Sequence, residues 1–455
     1  MTPSLPAHNI LPGTLFMGPI SFKEQAFWMH TLQMPAGSVA PLPGKVDVAV
    51  VGAGFTGLSA ARTLAQRRVR VAVLEAESIG WGASSRNGGM VLTGMKLGVE
   101  ELRQKYGEQV ARKMFAASIA SIDCVENIVK EENIACDFER CGHLEVAWKK
   151  SHFDRFCRSA KILERDFNYH LEIVPQYGLA VEVGSEIFYG GVVDYLSAGV
   201  NPARYVSGLA RAAQRAGAEI YDRCRVEKIE RLETEPGAAG SAKPFQLTTS
   251  RGTLLASEVF IATGGYTTRV TPQIRKRIIP IGSFIIVTEP LSEELAARAS
   301  PRNRMIYDSK NFLWYWRLTP DRRMLFGGRA AFFPETSRTI RRSAQILREA
   351  MLQTYPYLRE TKTEYAWGGT LDFTFDVLPH AGVIDGMHYA IGYAGHGVAM
   401  ATYLGQKMAE QITGARDNNP FSDVPFRGAP FGLYTGSPWF LPVTGAYYKI
   451  KDWLS

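Results

Sequence analysis

Residues 47–61 read Asp47-Val-Ala-Val-Val-Gly-Ala-Gly-Phe-Thr-Gly-Leu-Ser-Ala-Ala61. An apolar run enters a Gly-x-Gly-x-x-Gly turn, a helix-forming stretch leaves it, and a second apolar run, 69–74, ends in Glu75. Each residue type answers a physical requirement. Gly52 permits the tight turn, Gly54 lets the backbone approach a pyrophosphate, and Gly57 lets the helix lie close on the strand. First-turn amides and the helix dipole then hold phosphates without a lysine. Glu75 stands 23 residues after Gly52, placed to accept both hydroxyls of a ribose, and its charge would repel a 2′-phosphate. Strand, glycines, helix, second strand and terminal acid agree, so the segment is read as a dinucleotide site and not a chance glycine turn.

Composition narrows the setting. Of 455 residues, 46% are apolar and 21% charged, a balance that supports a large core and excludes disorder, collagen and coiled coils. Length suggests two or three domains. The net charge of +8 comes without a run of five or six like charges, so no nucleic-acid partner is expected. Five cysteines, Cys124, Cys136, Cys141, Cys157 and Cys224, form no CxxC pair, which argues for reduced thiols and against disulfides or zinc. The eight histidines form neither HxH nor HExxH, so no metal is expected. No phosphate-loop GxxxxGK and no GxSxG elbow is present. With no export signal and no apolar stretch of ~18 residues, a cytoplasmic protein is expected.

The chain is read as follows. Residues 1–44 form an extended arm rich in proline and aromatics. Helices are predicted over 108–133, 153–168, 202–216, 340–354 and 398–412, the first on the spacing of Phe115, Ile119, Ile122, Val125 and Val129. Gly217 stops the third. Strands are predicted at 142–148, 225–230, 245–249, 259–263, 284–288, 312–328 and 389–393, with 234–244 a long hairpin loop. Pieces of βαβ alternate with an antiparallel block, which predicts an α/β (α+β) fold of two interleaved units. The tail carries Trp439, Phe440, Leu441, Tyr447, Tyr448 and Trp453 with Lys449 and Lys451, residues suited to a membrane interface. Its prolines and glycines favour a packed clasp instead, and membrane association is not expected.

Two further glycine segments bear on the ligand. Gly80-Trp-Gly-Ala-Ser-Ser-Arg-Asn-Gly-Gly89 follows the second strand, where small residues allow close approach and Ser84, Ser85 and Asn87 can donate hydrogen bonds. Ile261-Ala-Thr-Gly-Gly265 ends a buried strand, where α/β sheets collect ligands. Together with Gly190-Gly-Val-Val-Asp194, Asn201-Pro202 and Gly392-Tyr-Ala-Gly-His-Gly397, these residues resemble the FAD-dependent D-amino-acid oxidase (glycine/sarcosine oxidase) superfamily over about 45–415. A further likeness, to the gamma-glutamylputrescine oxidoreductase branch, includes Gly445-Ala-Tyr-Tyr448 and Asp452.

The resemblance implies a Rossmann-like FAD-binding domain, 45–97 with 190–270 and 376–415. Interleaved with it would be an antiparallel-sheet substrate domain, 98–189 with 271–375, and a tail at 416–455. Gly52, Gly54, Phe55, Thr56 and Gly57 would face the pyrophosphate, and Glu75 and Ala76 the adenosine ribose. Gly82, Ala83, Ser84, Arg86, Asn87, Gly88, Gly89 and Met90 would run beside the pyrophosphate, ribityl chain and ring. Val226 would meet the adenine, and Thr263 and Gly264 would close the pocket. Gly395, His396, Gly397 and Val398 would lie at the pyrimidine edge of the flavin, where helix amides and His396, as donor or cation, oppose negative charge. A histidine bonding locally at a helix start is the plain alternative.

The implied chemistry is hydride transfer to FAD from a carbon bearing an amine, with the imine then hydrolysed and O2 or another acceptor reoxidising the cofactor. Trp314, Tyr315 and Trp316 are assigned with His396 to the reacting end, the aromatic faces holding an ammonium group. On an alternating strand Trp314 and Trp316 share one face and Tyr315 takes the other, and one face is open to simple core packing. Relatives of the glycine oxidase kind carry an arginine for the substrate carboxylate where this chain has Leu371. Those of the sarcosine oxidase kind carry a lysine where it has Gly369, an oxygen-activating lysine where it has Phe326, and a flavin-bound cysteine that it lacks. Non-covalent FAD and an amine without an adjacent carboxylate follow as expectations. The competing readings are a 2-hydroxy-acid dehydrogenase on the same fold, a membrane-associated flavoprotein dehydrogenase and an NAD-linked dehydrogenase.

Overall fold

The computed structural model describes residues 21–30, 32–233, 243–328, 335–415, 419–429, 432–441 and 445. The loop at 234–242 and Tyr447, Tyr448, Lys449, Lys451, Asp452 and Trp453 lie outside the described residues.

Strand Lys45–Val51 is the middle of a mostly parallel sheet. It pairs in parallel with Gly252–Ile261 on one side and Val71–Leu74 on the other. Glu219–Tyr221 and Met387–Ile391 extend the sheet in parallel, and His380–Ile384 closes one edge antiparallel. Both faces are covered, so Val48, Ala49 and Val50 are all buried along one continuous apolar run. Helix Phe55–Gln66 buries every residue from Phe55 to Ala65, because Pro202–Ala216 and Gly397–Ile412 flank it. Each fully buried Leu or Val here contributes about 1.5–3 kcal/mol. Pro202–Ala216 matches its predicted bounds. Asn201 caps it by accepting from the Arg204 amide, Pro202 takes the first turn, and Gly217 leaves it at φ 107°.

The second sheet is largely antiparallel and has eight strands. Its order is Thr363–Thr374, Ile278–Pro290, Arg323–Gly328, Trp314–Leu318, Met305–Asp308, His143–Val146, Gly190–Asp194 and Glu172–Pro175. Helix Ser337–Thr354 packs against the long Ile278–Pro290 strand. The predicted strand 312–328 is a hairpin, turned at Thr319–Arg322. Residues 190–194, expected with the first unit, pair instead with His143–Val146 and Glu172–Pro175.

The arm is not wholly extended. Phe27–His30 forms one helical turn, and Phe27 and Trp28 are buried against Ile285, Val287, Leu325, Tyr365 and Trp367. Two aromatics with an apolar wall within reach leave water, which proline content alone does not reveal. In the tail, Tyr434 and Leu441 are buried, and the Tyr434 hydroxyl donates to the Ile278 carbonyl at 2.7 Å, while Trp439 is exposed. Among the described residues no helix is long and apolar enough to cross a membrane.

Candidate active site

The glycine turn closes around its own backbone. At Gly57 a Cβ would stand 1.9 Å from the Gly52 carbonyl oxygen, so no other residue lets this helix lie so close. Gly52 itself has φ 108°. The Ala53 amide donates to Glu75 Oε2 at 2.8 Å and the Glu77 amide to Oε1 at 2.9 Å. Burial pushes the Glu75 carboxyl upward, and these amides pull it back. The Phe55 amide donates to Ser84 Oγ at 2.9 Å, tying the second glycine segment to the first helix.

Apart from Gly57, these residues line a cavity of about 400 Å³. Gly52, Gly54, Phe55, Thr56, Glu75, Ala76, Gly82, Ala83, Ser84, Val226, Thr263, Gly264 and Gly397 are in its wall. A second cavity, of about 700 Å³, lies against the antiparallel sheet and takes Arg86, Gly88, Met90, Tyr315 and His396. Ala83, Asn87, Thr370, Leu371, Gly395 and Val398 belong to both, so the two meet at one seam. Gly57 and Gly89 line neither, and act by packing and by turning the chain. Asn87 spends its side chain within the loop: its Nδ2 donates to the Ala83 carbonyl and its Oδ1 accepts from the Gly89 amide. Ser85 is buried and donates to the Gly80 carbonyl, so it is not available to a ligand as expected.

The aromatic triplet divides as alternation requires, and this corrects two assignments. Tyr315 faces the large cavity, with burial pushing its hydroxyl up to about 12. Trp316 faces away and is fully buried, stacked between Phe188 and Phe326, with its Nε1 donating to the Tyr355 hydroxyl. Trp314 shares that side and packs on the same core, so neither tryptophan roofs the cavity. Phe326 is opposite Trp316 in the ladder and also points into the core, away from the position a cavity lysine would need.

His396 precedes helix Gly397–Ile412, whose first residues line the cavities, Gly397 the smaller one and Val398 both. Burial first, and then the charges of Lys96 and His143, push the imidazole down to about 4. That shift favours the uncharged ring, and so, of the two expected roles, the donor over the cation. Its Nδ1 is buried without a hydrogen-bond partner among the described residues. Asp372 is buried beside the seam, accepts from the Gly392 amide at 2.7 Å, and is pushed up to about 6 by burial. The wall also holds residues that the sequence reading passed over, chiefly Glu145, Tyr307, Lys96 and Arg155. Glu145 lies in the apolar run His143–Val146, where an acid reads as solvent-facing.

The donor set suits a flavin dinucleotide. It offers first-turn amides and a ribose carboxylate in one cavity, with a small-residue passage into a second one wide enough for substrate. Among the described residues no cysteine lines either cavity. Comparison with known proteins agrees. The chain is 31% identical over 409 residues to the gamma-glutamylputrescine oxidoreductase of Escherichia coli K12, covering 89% of this chain and 92% of that one. It is 33% identical over 375 residues to the probable oxidoreductase OrdL of Haemophilus influenzae, covering 81% and 83%. The structure of glycine oxidase from Geobacillus kaustophilus superposes with a TM-score of 0.69 at 21% identity, covering 85% of this chain and 99% of that one. Residues 47–411 match the DAO family model, described as FAD dependent oxidoreductase, and the chain belongs to that family of flavoenzymes.

Proposed function

We propose that this protein oxidises the C–N bond of a primary or secondary amine, polyamine-derived or N-substituted, and releases an imine that water hydrolyses. Bound FAD, held without a covalent link, supplies the hydride acceptor, and O2 or another acceptor takes the electrons. One observation carries the reading. Where the larger cavity leaves the seam the wall offers Leu371 and then Tyr315, and the arginine that lines this end is already committed. Arg86 donates to the Trp81 and Gly368 carbonyls and pairs with Glu335 at 3.0 Å. Among the described residues no other arginine lines this end to anchor a carboxylate beside the reacting carbon, while an aromatic face and an aliphatic side chain suit an alkylamine. The relative's name, which specifies a glutamylated diamine, supports the same class.

The chain's own groups do the positioning. Tyr315 and Leu371 orient the carbon, and the amides that open Gly397–Ile412, with neutral His396, oppose negative charge at the seam. Purified protein is expected to be yellow, and amines to bleach it in the absence of air. Admitting air and assaying peroxide then separates an oxidase from a dehydrogenase. Bleaching by 2-hydroxy acids and by no amine would replace this reading with the hydroxy-acid one.

A further inference from the structure

Tyr315 belongs to a row of residues running across the antiparallel sheet. It pairs with Tyr307, Tyr307 with Glu145, and Glu145 with Val192. Directly paired residues share a face, and all four line the large cavity. At ~4.8 Å per strand, Glu145 lies about 10 Å from Tyr315 along this row. A substrate that touches both is therefore elongated.

At the far end one acid, Glu145, stands without a partner among the described residues. Glu145 is flanked in sequence by the fully buried Leu144 and Val146. It makes no hydrogen bond or ion pair with any described residue, although an unpaired carboxylate in such a place is costly. Arg155, on helix Lys150–Phe167, lines the same cavity and has no carboxylate partner among the described residues. Lys96 is near enough that its charge acts on both Glu145 and His396. Elsewhere in the wall Asp308 pairs with Lys310 at 2.8 Å, and Glu101 with Lys105 at 2.8 Å. Glu100 is exposed to solvent. Glu145 is thus an acid of the inner wall with no partner of its own among the described residues, and Arg155, at a solvent-exposed position on its helix, stands close enough to act on it by charge without being bonded to it.

We propose that this far end is a subsite for a zwitterionic, amino-acid-like head group, with Glu145 accepting from its ammonium and Arg155, beside Lys96, donating to its carboxylate. The proposal rests on the amine reading and adds the residues that select one class of amine. It predicts that the preferred substrate carries its oxidised C–N bond at one end and an α-amino acid at the other.

The test uses the holoenzyme and three amines of equal arm length. One carries a γ-glutamyl head, one a glutaryl head that lacks the ammonium, and one no head. Glu145→Gln should lower selectivity for the γ-glutamyl over the glutaryl amine by about tenfold, equivalent to ~1.4 kcal/mol, with the change in KM and not in kcat. Arg155→Gln should raise KM for both headed amines relative to the plain one. An equal effect on all three, or none, overturns the subsite. Glutamine has the head and no oxidisable arm, so it should raise the melting temperature of wild type and not of Glu145→Gln. That binding measurement separates the two readings. Bleaching by plain amines with no glutamine shift removes the subsite alone, whereas a Glu145-dependent shift with no bleaching by any amine removes the amine chemistry and keeps the subsite. Should Glu145→Gln fail to fold, Arg155→Gln, on an exposed helix position, decides the question.

Discussion

Burial pushes the Glu145 carboxyl up to about 7, Arg155 and Lys96 oppose that rise, and Asp308 adds to it. The groups facing it come from three elements: helix Lys150–Phe167, the segment before Val99–Tyr106, and the neighbouring strand with Tyr307 and Asp308. Its folded value lies above the ordinary carboxylate value of about 4.3, so proton binding favours the folded state. The wild type should therefore lose stability as pH climbs from the ordinary value toward 7, and level off above it. Glu145→Gln lacks this loss, so its melting temperature should gain on wild type between pH 5 and pH 8. A variant less stable than wild type at pH 8 would show that the carboxylate is a structural partner and not one kept for a ligand. The same residue marks where sequence reading ends. The glycines and Glu75 were legible because turn, close approach and ribose recognition are local demands. In Trp314-Tyr315-Trp316 alternation separated two faces, but both are aromatic, so nothing local said which one meets the core.

At the scale of elements, legibility followed the punctuation. Pro202–Ala216 is bounded by Asn201-Pro202 and Gly217, which act within a turn of themselves, and its limits were read correctly. Thr363–Thr374 was not seen as a strand because Gly368-Gly369 interrupts it, yet it is the longest partner of Ile278–Pro290 in the second sheet. Its glycines let the sheet approach the Arg86 side chain, where a Cβ on Gly369 would stand 3.4 Å from Arg86 Cβ. The loop 80–89 is held from outside by two indoles. Trp28 Nε1 donates to the Asn87 carbonyl and Trp367 Nε1 to the Arg86 carbonyl, each at 2.9 Å. Trp28 comes from the arm, so a segment remote in sequence shapes the ligand loop. Trp28→Phe keeps most of the apolar contact and removes one hydrogen bond, worth about 0.5–1.5 kcal/mol. The protein should fold, and its FAD should dissociate several-fold more readily in a flavin-fluorescence titration. Trp367→Phe should behave alike. Unchanged FAD affinity in both variants would show that the loop holds its shape unaided.

Among the described residues the two eight-stranded sheets meet at one seam, and the walls of that seam come from both. Gly395 and Val398 follow the parallel sheet, Thr370 and Leu371 belong to the antiparallel one, and Ala83 and Asn87 bridge them. Each sheet has its own buried cluster, one around Val50, Leu58 and Phe260 and another around Ile286, Trp316 and Phe326. Either core can hold without the seam being filled. A ligand that binds only the folded state adds about 2.7 kcal/mol at a hundredfold excess over its Kd. Here that gain should fall unevenly, because FAD would replace water at backbone that the cores do not cover. Removing FAD should therefore speed amide hydrogen exchange at 83–90, 369–372 and 395–398, and leave the core strand at 284–287 nearly as protected as before. Uniform loosening of both sheets would mean that the cofactor organises the cores themselves. Unaltered exchange at 83–90 would mean that the seam is rigid in advance, with the two indoles sufficient to set it.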